Sequence, residues 1–169
     1  MSKPSPTGNP GYFKIYTDQV VETDLATAFQ NQSAGFEEFL NRISEEKSLY
    51  AYADGKWTIK EMLQHIIDAE RIFAYRAVCF ARGEAINLPG FEENDYAANS
   101  HANERSWKSI VEEFIINRRS IELMFASFTN EVLALSGTAN NNTTSVESIG
   151  FIIVGHFNHH KKVLLERYL

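Results

Sequence analysis

Two histidines in the last part of the chain have the spacing of a metal-ligand pair. His156 and His160 lie four residues apart, so on an α-helix they share one face, one turn apart. Apolar residues at three- and four-residue intervals around them predict such a helix. Two imidazoles can share one metal ion, but zinc sites take three or four protein ligands. A third ligand must therefore come from elsewhere in the chain.

A third histidine, His65, lies on the inward face of another predicted helix. The sequence Thr58 to Glu61 has the pattern of a capping box, which starts a helix, and Gly83 has the position of a residue that ends one. The inward face of this helix comprises Met62, His65, Ile66, Ala69, Ile72, Phe73, Arg76 and Phe80. Three inward histidines favour a shared metal ion, and the alternative for each is a hydrogen-bonded core residue.

Other polar residues near these positions have simpler explanations. His159 lies in a neighbouring row of its helix, so we expect it to support the site or to face solvent. His101 lies in a loop, and we assign it no role. Glu61 is already explained by its part in the capping box.

Charged residues on the predicted helices are explained by ion pairs. Asp68 and Glu70 are expected at the surface or paired with the nearby Arg71 and Arg76. Arg118 interrupts an apolar stripe, so it needs a carboxylate partner, and we expect that pair to be structural. No catalytic residue is assigned.

Hydrophobic periodicity predicts four long amphipathic helices and no strands. The first follows an N-cap at Asp24, the third runs from about Glu104 to Phe128, and the fourth starts at a capping box, Thr144 to Glu147. Non-periodic connectors separate them: residues 44–56, a long link at 83–103, and a polar turn at 136–143. The predicted fold is all-α, a four-helix bundle.

The lengths of the connectors predict the topology of the bundle. A short first connector makes helices one and two antiparallel, whereas the long second link can run back along the bundle and leave helix three parallel to helix two. The result is up-down-down-up with a long crossover between helices two and three. This topology places His65, His156 and His160 at similar heights. In an up-down-up-down bundle His65 and His160 would differ in height by about 10 Å.

Composition is that of one globular domain. The chain has 169 residues, 44% hydrophobic residues, a net charge of −6 and a single cysteine, Cys79. We expect residues 1–11 to form a flexible tail and residues 12–169 a single bundle domain. The lack of basic clusters argues against nucleic acid, and the lack of long apolar runs argues against a membrane partner. We expect a cytoplasmic protein that binds a small molecule, with Phe13 and Tyr16 in an apolar strip for homodimerisation.

Several segments of the sequence resemble the DinB/YfiT-like superfamily, from about Tyr12 onward. They are Gly55 to His65, Asp68 to Arg76, Ala81 to Glu84, Leu88 to Phe91, Gly137 to Asn140, and Gly155 to His160 with Glu166 to Leu169. The resemblance implies a bundle of this crossover kind. It also implies a divalent metal, zinc or nickel, held by His65, His156 and His160.

The resemblance implies the site better than the reaction. Relatives include S-transferases that use the thiols bacillithiol or mycothiol, a maleylpyruvate isomerase and proteins described as metal-dependent hydrolases. Three neutral imidazoles leave open positions on an ion, where either a water or a thiol can be activated. The sequence therefore leaves three readings: hydrolase, thiol S-transferase, and a non-catalytic stress-related bundle whose metal is structural or absent.

Overall fold

The computed structural model describes residues 10–169, so most of the predicted tail, residues 1–9, lies outside the described part. In chain order the elements are α1 (Pro10–Thr17), α2 (Leu25–Asn41), α3 (Glu45–Ser48), α4 (Ile59–Ala81), α5 (Glu93–Asn99), a 3-10 turn (Ala102–Glu104), α6 (Trp107–Ala126), α7 (Asn130–Leu133), β1 (Ser136–Ala139), β2 (Asn142–Ser145) and α8 (Val146–Arg167). The long helices α2, α4, α6 and α8 are the four that the sequence predicts, and the four-helix bundle is confirmed.

Local capping chemistry fixes where the long helices begin. Asp24 accepts a hydrogen bond from the backbone N–H of Thr27. At the start of α4 the hydroxyl of Thr58 and the carboxylate of Glu61 each accept a hydrogen bond from the other's backbone N–H, which completes the predicted capping box. Because these bonds satisfy N–H groups that have no partner inside the helix, the sequence signals locate the starts of α2 and α4 well.

The start of α8 differs from the prediction by one residue. Ser145, not Thr144, is the N-cap, and its hydroxyl accepts a hydrogen bond from the N–H of Ser148. Thr144 is instead paired with Gly137 in the β1–β2 ladder. The strand therefore uses the residue that the pattern assigned to the cap.

Residues 136–143, predicted as a polar turn, begin an antiparallel hairpin that extends to Ser145. Asn140 and Asn141 make its turn with φ of 48° and 61°, a left-handed conformation that asparagine tolerates and two-residue hairpins require. The long link joins this hairpin, because the N–H of Leu88 donates to the carbonyl of Thr138 and the carbonyl of Leu88 accepts from the N–H of Asn140. The prediction of no strands was therefore wrong, because strands of only four residues are too short to show a recognisable alternation.

Contacts across the bundle give the directions of its helices. Between α4 and α6 the contacting residues advance in the same direction along both helices. Arg105, just before α6, donates to Gln64, and farther along Arg118 pairs with Glu70. These helices are therefore parallel, and the link between them must return along the bundle. Contacts between α4 and α8 run in opposite order along the two helices, as Trp57–Tyr168 and Phe73–His156 show. Contacts between α2 and α6 do the same, as Leu40–Trp107 and Phe29–Phe125 show. Each of these two pairs is therefore antiparallel.

A fully buried ion pair, Glu70 with Arg118, lies in the centre of the bundle. Arg118 also donates to Gln32, and it has the carboxylate partner that the sequence called for. The local partners predicted for Glu70 were wrong, because Arg71 pairs with Glu113 at 2.7 Å on the outside of the helix. Consecutive helix residues lie about 100° apart, so Glu70 and Arg71 face different surroundings.

Helix α1 packs against the bundle with Phe13 and Tyr16 half-buried on the core. Gly155 permits this approach, since a Cβ there would lie 2.1 Å from the backbone oxygen of Tyr16. The two aromatic residues are thus accommodated by the core, which removes their predicted part in an exposed strip. Homodimerisation itself stays a prediction. Among the helices of residues 10–169, none has the length and apolar character to span a membrane.

Candidate metal centre

The three histidines singled out from the sequence meet at one point between α4 and α8. The Nε2 atom of His156 lies 3.1 Å from Nε2 of His65 and 3.1 Å from Nε2 of His160. A ligand atom from each of the three lies within 4.8 Å of the others. His156 and His160 come from successive turns of α8, and antiparallel packing brings His65 of α4 to the same level.

Burial keeps these imidazoles neutral. His65 and His156 are buried, and His160 is partly exposed. Burial lowers the pKa of His65 to about 4. Burial, followed by the neighbouring imidazoles, holds the pKa of His156 well below its usual value, and burial does the same for His160. The neutral form is the one that binds metal ions.

Hydrogen bonding alone does not satisfy this cluster. A ring nitrogen offers either one N–H or one lone pair, so Nε2 of His156 can bond to His65 or to His160 but not to both. Its other nitrogen, Nδ1, is buried and has no hydrogen-bond partner among the described residues. Three lone pairs that converge on one ion remove the conflict at Nε2, because each nitrogen then donates its electrons to the same acceptor.

The distances fit a shared ion. Two nitrogens bound to one transition metal at about 2.0–2.1 Å each lie no more than about 4.2 Å apart, and the closest pairs here are 3.1 Å apart. Three neutral imidazoles suit divalent zinc or nickel. The residues present therefore fit the metal that the sequence indicates.

Aromatic rings fix the orientations of the imidazoles. The ring centroids of Trp57 and His65 lie 4.7 Å apart. The rings of Tyr16 and His156 meet edge to face, with 5.0 Å between their centroids. The ring of Phe73, two turns after His65 on α4, is edge-on to the ring of His156, with 6.1 Å between their centroids. Rotation of either buried imidazole would displace a neighbouring ring, so the ligand atoms are held in place by packing.

A cavity of about 350 Å³ opens onto the three histidines. This volume is in the range of pockets that hold small molecules. The lining residues are Phe13, Tyr16, Trp57, His65, Ala69, Phe73, Arg76, Gly90, Phe91, Glu93, Asn140, Asn142, His156 and His160. The site thus faces a cavity, and is not sealed inside the core.

Several of these lining residues have no sequence signal for a site. Arg76 had been assigned to an ion pair, and Asn140 and Asn142 to a turn. They reach the cavity because the hairpin and the link fold over α4, which is a long-range arrangement without periodicity. Only one part of this arrangement is visible in the sequence: Arg76 shares the inward face of α4 with His65 and Phe73.

The remaining histidines lie outside the ligand cluster. His159 is half-buried, with its ring edge-on to Tyr16 at 5.6 Å and to His160 at 5.2 Å. Burial and then Lys162 lower its pKa. His101 is exposed beside Glu104, 2.9 Å away. Glu61 is engaged in the capping box.

Comparison with known families decides which group the chain is part of. A family model described as the DinB superfamily matches residues 28–164, well over half of the chain. The chain belongs to the DinB superfamily. No curated protein gives a significant match to the sequence.

Solved structures resemble this DinB-superfamily chain in fold at low sequence identity. YfiT from Bacillus subtilis, described as a probable metal-dependent hydrolase with an unusual four-helix bundle topology, is 13% identical with a TM-score of 0.69, over 80% of this chain and 78% of YfiT. The mycothiol-dependent maleylpyruvate isomerase is 9% identical with a TM-score of 0.64, over 80% of this chain and 57% of the isomerase. These likenesses establish the shared fold.

Proposed function

We propose that this chain is a metal-dependent enzyme that acts on a small molecule in the cavity beside its histidines. His65, His156 and His160 hold one divalent transition ion, zinc or nickel. The observation that carries this proposal is the convergence of three neutral ring nitrogens at the wall of a cavity. When bound, such an ion supplies Lewis-acid chemistry that lowers the pKa of a water or a thiol.

The residues of the chain itself supply the rest of the site. Because the three imidazoles are neutral, they would leave the charge of a bound ion uncompensated and so preserve its Lewis acidity. Trp57, Phe73 and Phe91 line the cavity and exclude water from the substrate, which strengthens electrostatic interactions there. Structural metal sites are closed by four protein ligands, so three ligands beside a cavity favour catalysis over the non-catalytic reading.

A second cavity favours a thiol as one of two reactants. It has a volume of about 390 Å³, and Trp57 and His160 line it as well as the first cavity. Lys56 and Arg167, which also line it, suit an anionic thiol such as bacillithiol. Because both cavities are lined by Trp57 and His160, two organic reactants could reach the same part of the site, which S-transfer requires and hydrolysis, whose second reactant is water, does not.

Metal analysis followed by activity assays tests this proposal. We expect protein purified without chelators to carry about one zinc or nickel ion per chain, and to turn over electrophiles or esters only when loaded. Parallel assays with and without a low-molecular-weight thiol separate S-transfer from hydrolysis. Absence of a stoichiometric ion, together with no affinity for added zinc or nickel, would overturn the proposal and support the non-catalytic reading.

A further inference from the structure

The first turn of α5 lies where the two cavities come together. Glu93 lines the cavity of about 350 Å³ beside the histidines, and Asn94, the next residue, lines the cavity of about 390 Å³. Trp57 and His160 line both cavities. Because consecutive α-carbons lie only about 3.8 Å apart, this turn lies near the part of the site that both cavities share. His160 is also the partly exposed histidine of the cluster, so Glu93 faces the same cavity as the accessible ligand.

The carboxylate of Glu93 has no partner in the part of the chain that the structure describes. Glu93 is half-buried, yet no ion pair or hydrogen bond joins its side chain to another described residue. By contrast, the half-buried Glu113 pairs with both Arg71 and Arg105. A carboxylate without such partners keeps its acceptor oxygens available to a molecule in the cavity.

Chemistry at the histidines calls for a proton acceptor. A water or thiol must lose a proton to become a nucleophile. Besides the three histidines, the cavity residues with titratable or amide side chains are Tyr16, Arg76, Glu93, Asn140 and Asn142. The histidines give their lone pairs to the proposed ion, a guanidinium stays protonated in proteins, a phenol already carries its proton at neutral pH, and amides are not bases. The carboxylate is the remaining group in this cavity that can accept a proton.

We propose that Glu93 is the proton acceptor of the site, acting on the nucleophile directly or through one water. The inference rests on the proposed function. In this step the O–H bond of water or the S–H bond of a thiol breaks, and its proton forms a new bond to a carboxylate oxygen of Glu93. The electron pair left on oxygen or sulfur forms the bond to the electrophilic carbon of the substrate. Glu93 then gives the proton to the leaving group, which restores its carboxylate.

Binding of acetohydroxamic acid to the zinc-loaded protein tests this role without an activity assay. The acid binds zinc as its anion, so its proton must pass to a nearby base or to the buffer. Calorimetry in buffers of different ionisation enthalpy counts the protons that are released. Wild-type protein should release almost none, because Glu93 keeps the proton in a hydrogen bond to the probe, whereas Glu93→Gln should release about one. The variant should also bind the probe about ten- to a hundredfold more weakly, since a charge-assisted hydrogen bond is lost.

Glu92→Gln is the matched control. It removes the same charge from the preceding residue, which is exposed and makes no capping hydrogen bond with its side chain, so its proton count should equal that of wild type. Zinc affinity and melting temperature should be unchanged in Glu93→Gln, because Glu93 is not among the clustered ligands. Glu93→Ala also lacks the carboxylate, and it gives the same test if Glu93→Gln is unstable.

A second control addresses the other cavity. His159 lines that cavity, so His159→Gln is measured in the same way and should retain the wild-type proton count. Release of about one proton in His159→Gln, with none in Glu93→Gln, would transfer the role to His159 and overturn the assignment of Glu93.

A zinc titration of the wild-type protein separates failure of this inference from failure of the proposed function. If no zinc binds, the proposed function is overturned, and the role of Glu93 is overturned with it. If zinc binds and the wild-type protein and Glu93→Gln release equal numbers of protons, only the role of Glu93 is overturned.

Discussion

His65 and Glu70, five residues apart on α4, belong to two buried polar clusters that are satisfied in different ways. Glu70 meets Arg118, an opposite charge, and the guanidinium carbon lies 5.5–5.8 Å from the centres of four phenylalanine rings. His65 meets His156, a like group, and a cavity lies beside them. The ion pair is complete within the bundle, whereas the histidine cluster leaves polar atoms without a partner of the right kind.

This difference separates a polar cluster whose hydrogen bonds are complete from one whose hydrogen bonds are incomplete among the described residues, and the second cluster is where we propose that an ion binds. The carboxylate of Glu70 accepts hydrogen bonds from Arg118 and Asn117, so nothing needs to be added to satisfy it. Nδ1 of His156 is without a hydrogen-bond partner in the described residues, and its Nε2 faces two other ring nitrogens. Burial alone does not distinguish the two clusters, but hydrogen-bond accounting does.

The largest expected effect is the loss of the ion pair. Arg118→Met leaves the Glu70 carboxylate buried without its cation, so the free energy of unfolding should fall by about 3–5 kcal/mol. Urea denaturation measures the loss. Arg119→Met is the control, since Arg119 pairs with Glu122 at the surface and should cost less than about 1 kcal/mol. Similar losses in the two variants would contradict a structural role that is special to the buried pair.

Loss of a histidine from the cluster should weaken metal binding. His156→Ala removes the nitrogen shared by both close contacts, and should weaken zinc or nickel binding at least about a hundredfold, because a total binding free energy of about 10–16 kcal/mol is divided among few ligands. Competition with a chromogenic chelator measures the affinity. His159 directly precedes His160 in the chain but lies outside the cluster, so His159→Ala should bind the metal nearly as tightly as wild type. Unchanged affinity after His156→Ala would show that the ion, if any, lies elsewhere.

Acid should destabilise the metal-free protein through the same histidines. The pKa of His65 is about 4 in the folded protein and about 6.5 when unfolded, so the unfolded chain binds more protons between these values. The contribution of neutral His65 to the free energy of unfolding is therefore fully present above pH 6.5. It is lost as the pH drops toward 4, which lowers the free energy of unfolding by about 2–3 kcal/mol. Urea titrations at several pH values measure the loss. His65→Gln should reduce this slope, and an equal slope in the variant would contradict the assignment.

The smallest expected effect comes from a change outside both clusters. Thr58→Ala removes the N-cap of α4 and should cost about 1 kcal/mol of unfolding free energy, while changing metal affinity by no more than a few fold. Thermal unfolding and chelator competition give the two values. Thr58→Ser retains the capping hydroxyl and should restore stability. A large loss of metal affinity in Thr58→Ala would mean that the histidine cluster depends on the start of the helix.

Features that are local in the sequence were predictable. Helical period and capping residues located the long helices, and the inward faces of two helices identified His65, His156 and His160 as residues that meet. Those inferences needed only the geometry of one helix and the length of a link. They did not need the identity of any distant partner.

Features that depend on distant partners were not predictable. Glu70 pairs with Arg118, 48 residues away, and the sequence offered Arg71 and Arg76 as nearer candidates. Arg76 enters the cavity region only because the link passes over α4 and presents the carbonyl of Pro89. Strands β1 and β2 have four residues each, which is too few for a recognisable alternation.

The crossover topology has a kinetic consequence. His65 and His156 are 91 residues apart in the chain, whereas His156 and His160 stay neighbours in any fragment that keeps α8 helical. An ion shared by all three would act as a removable crosslink that closes a long loop, and closing such a loop restricts the unfolded chain. Because the site faces a cavity, the ion could leave while the bundle stays folded, and α4 and α8 would then separate faster in the metal-free protein.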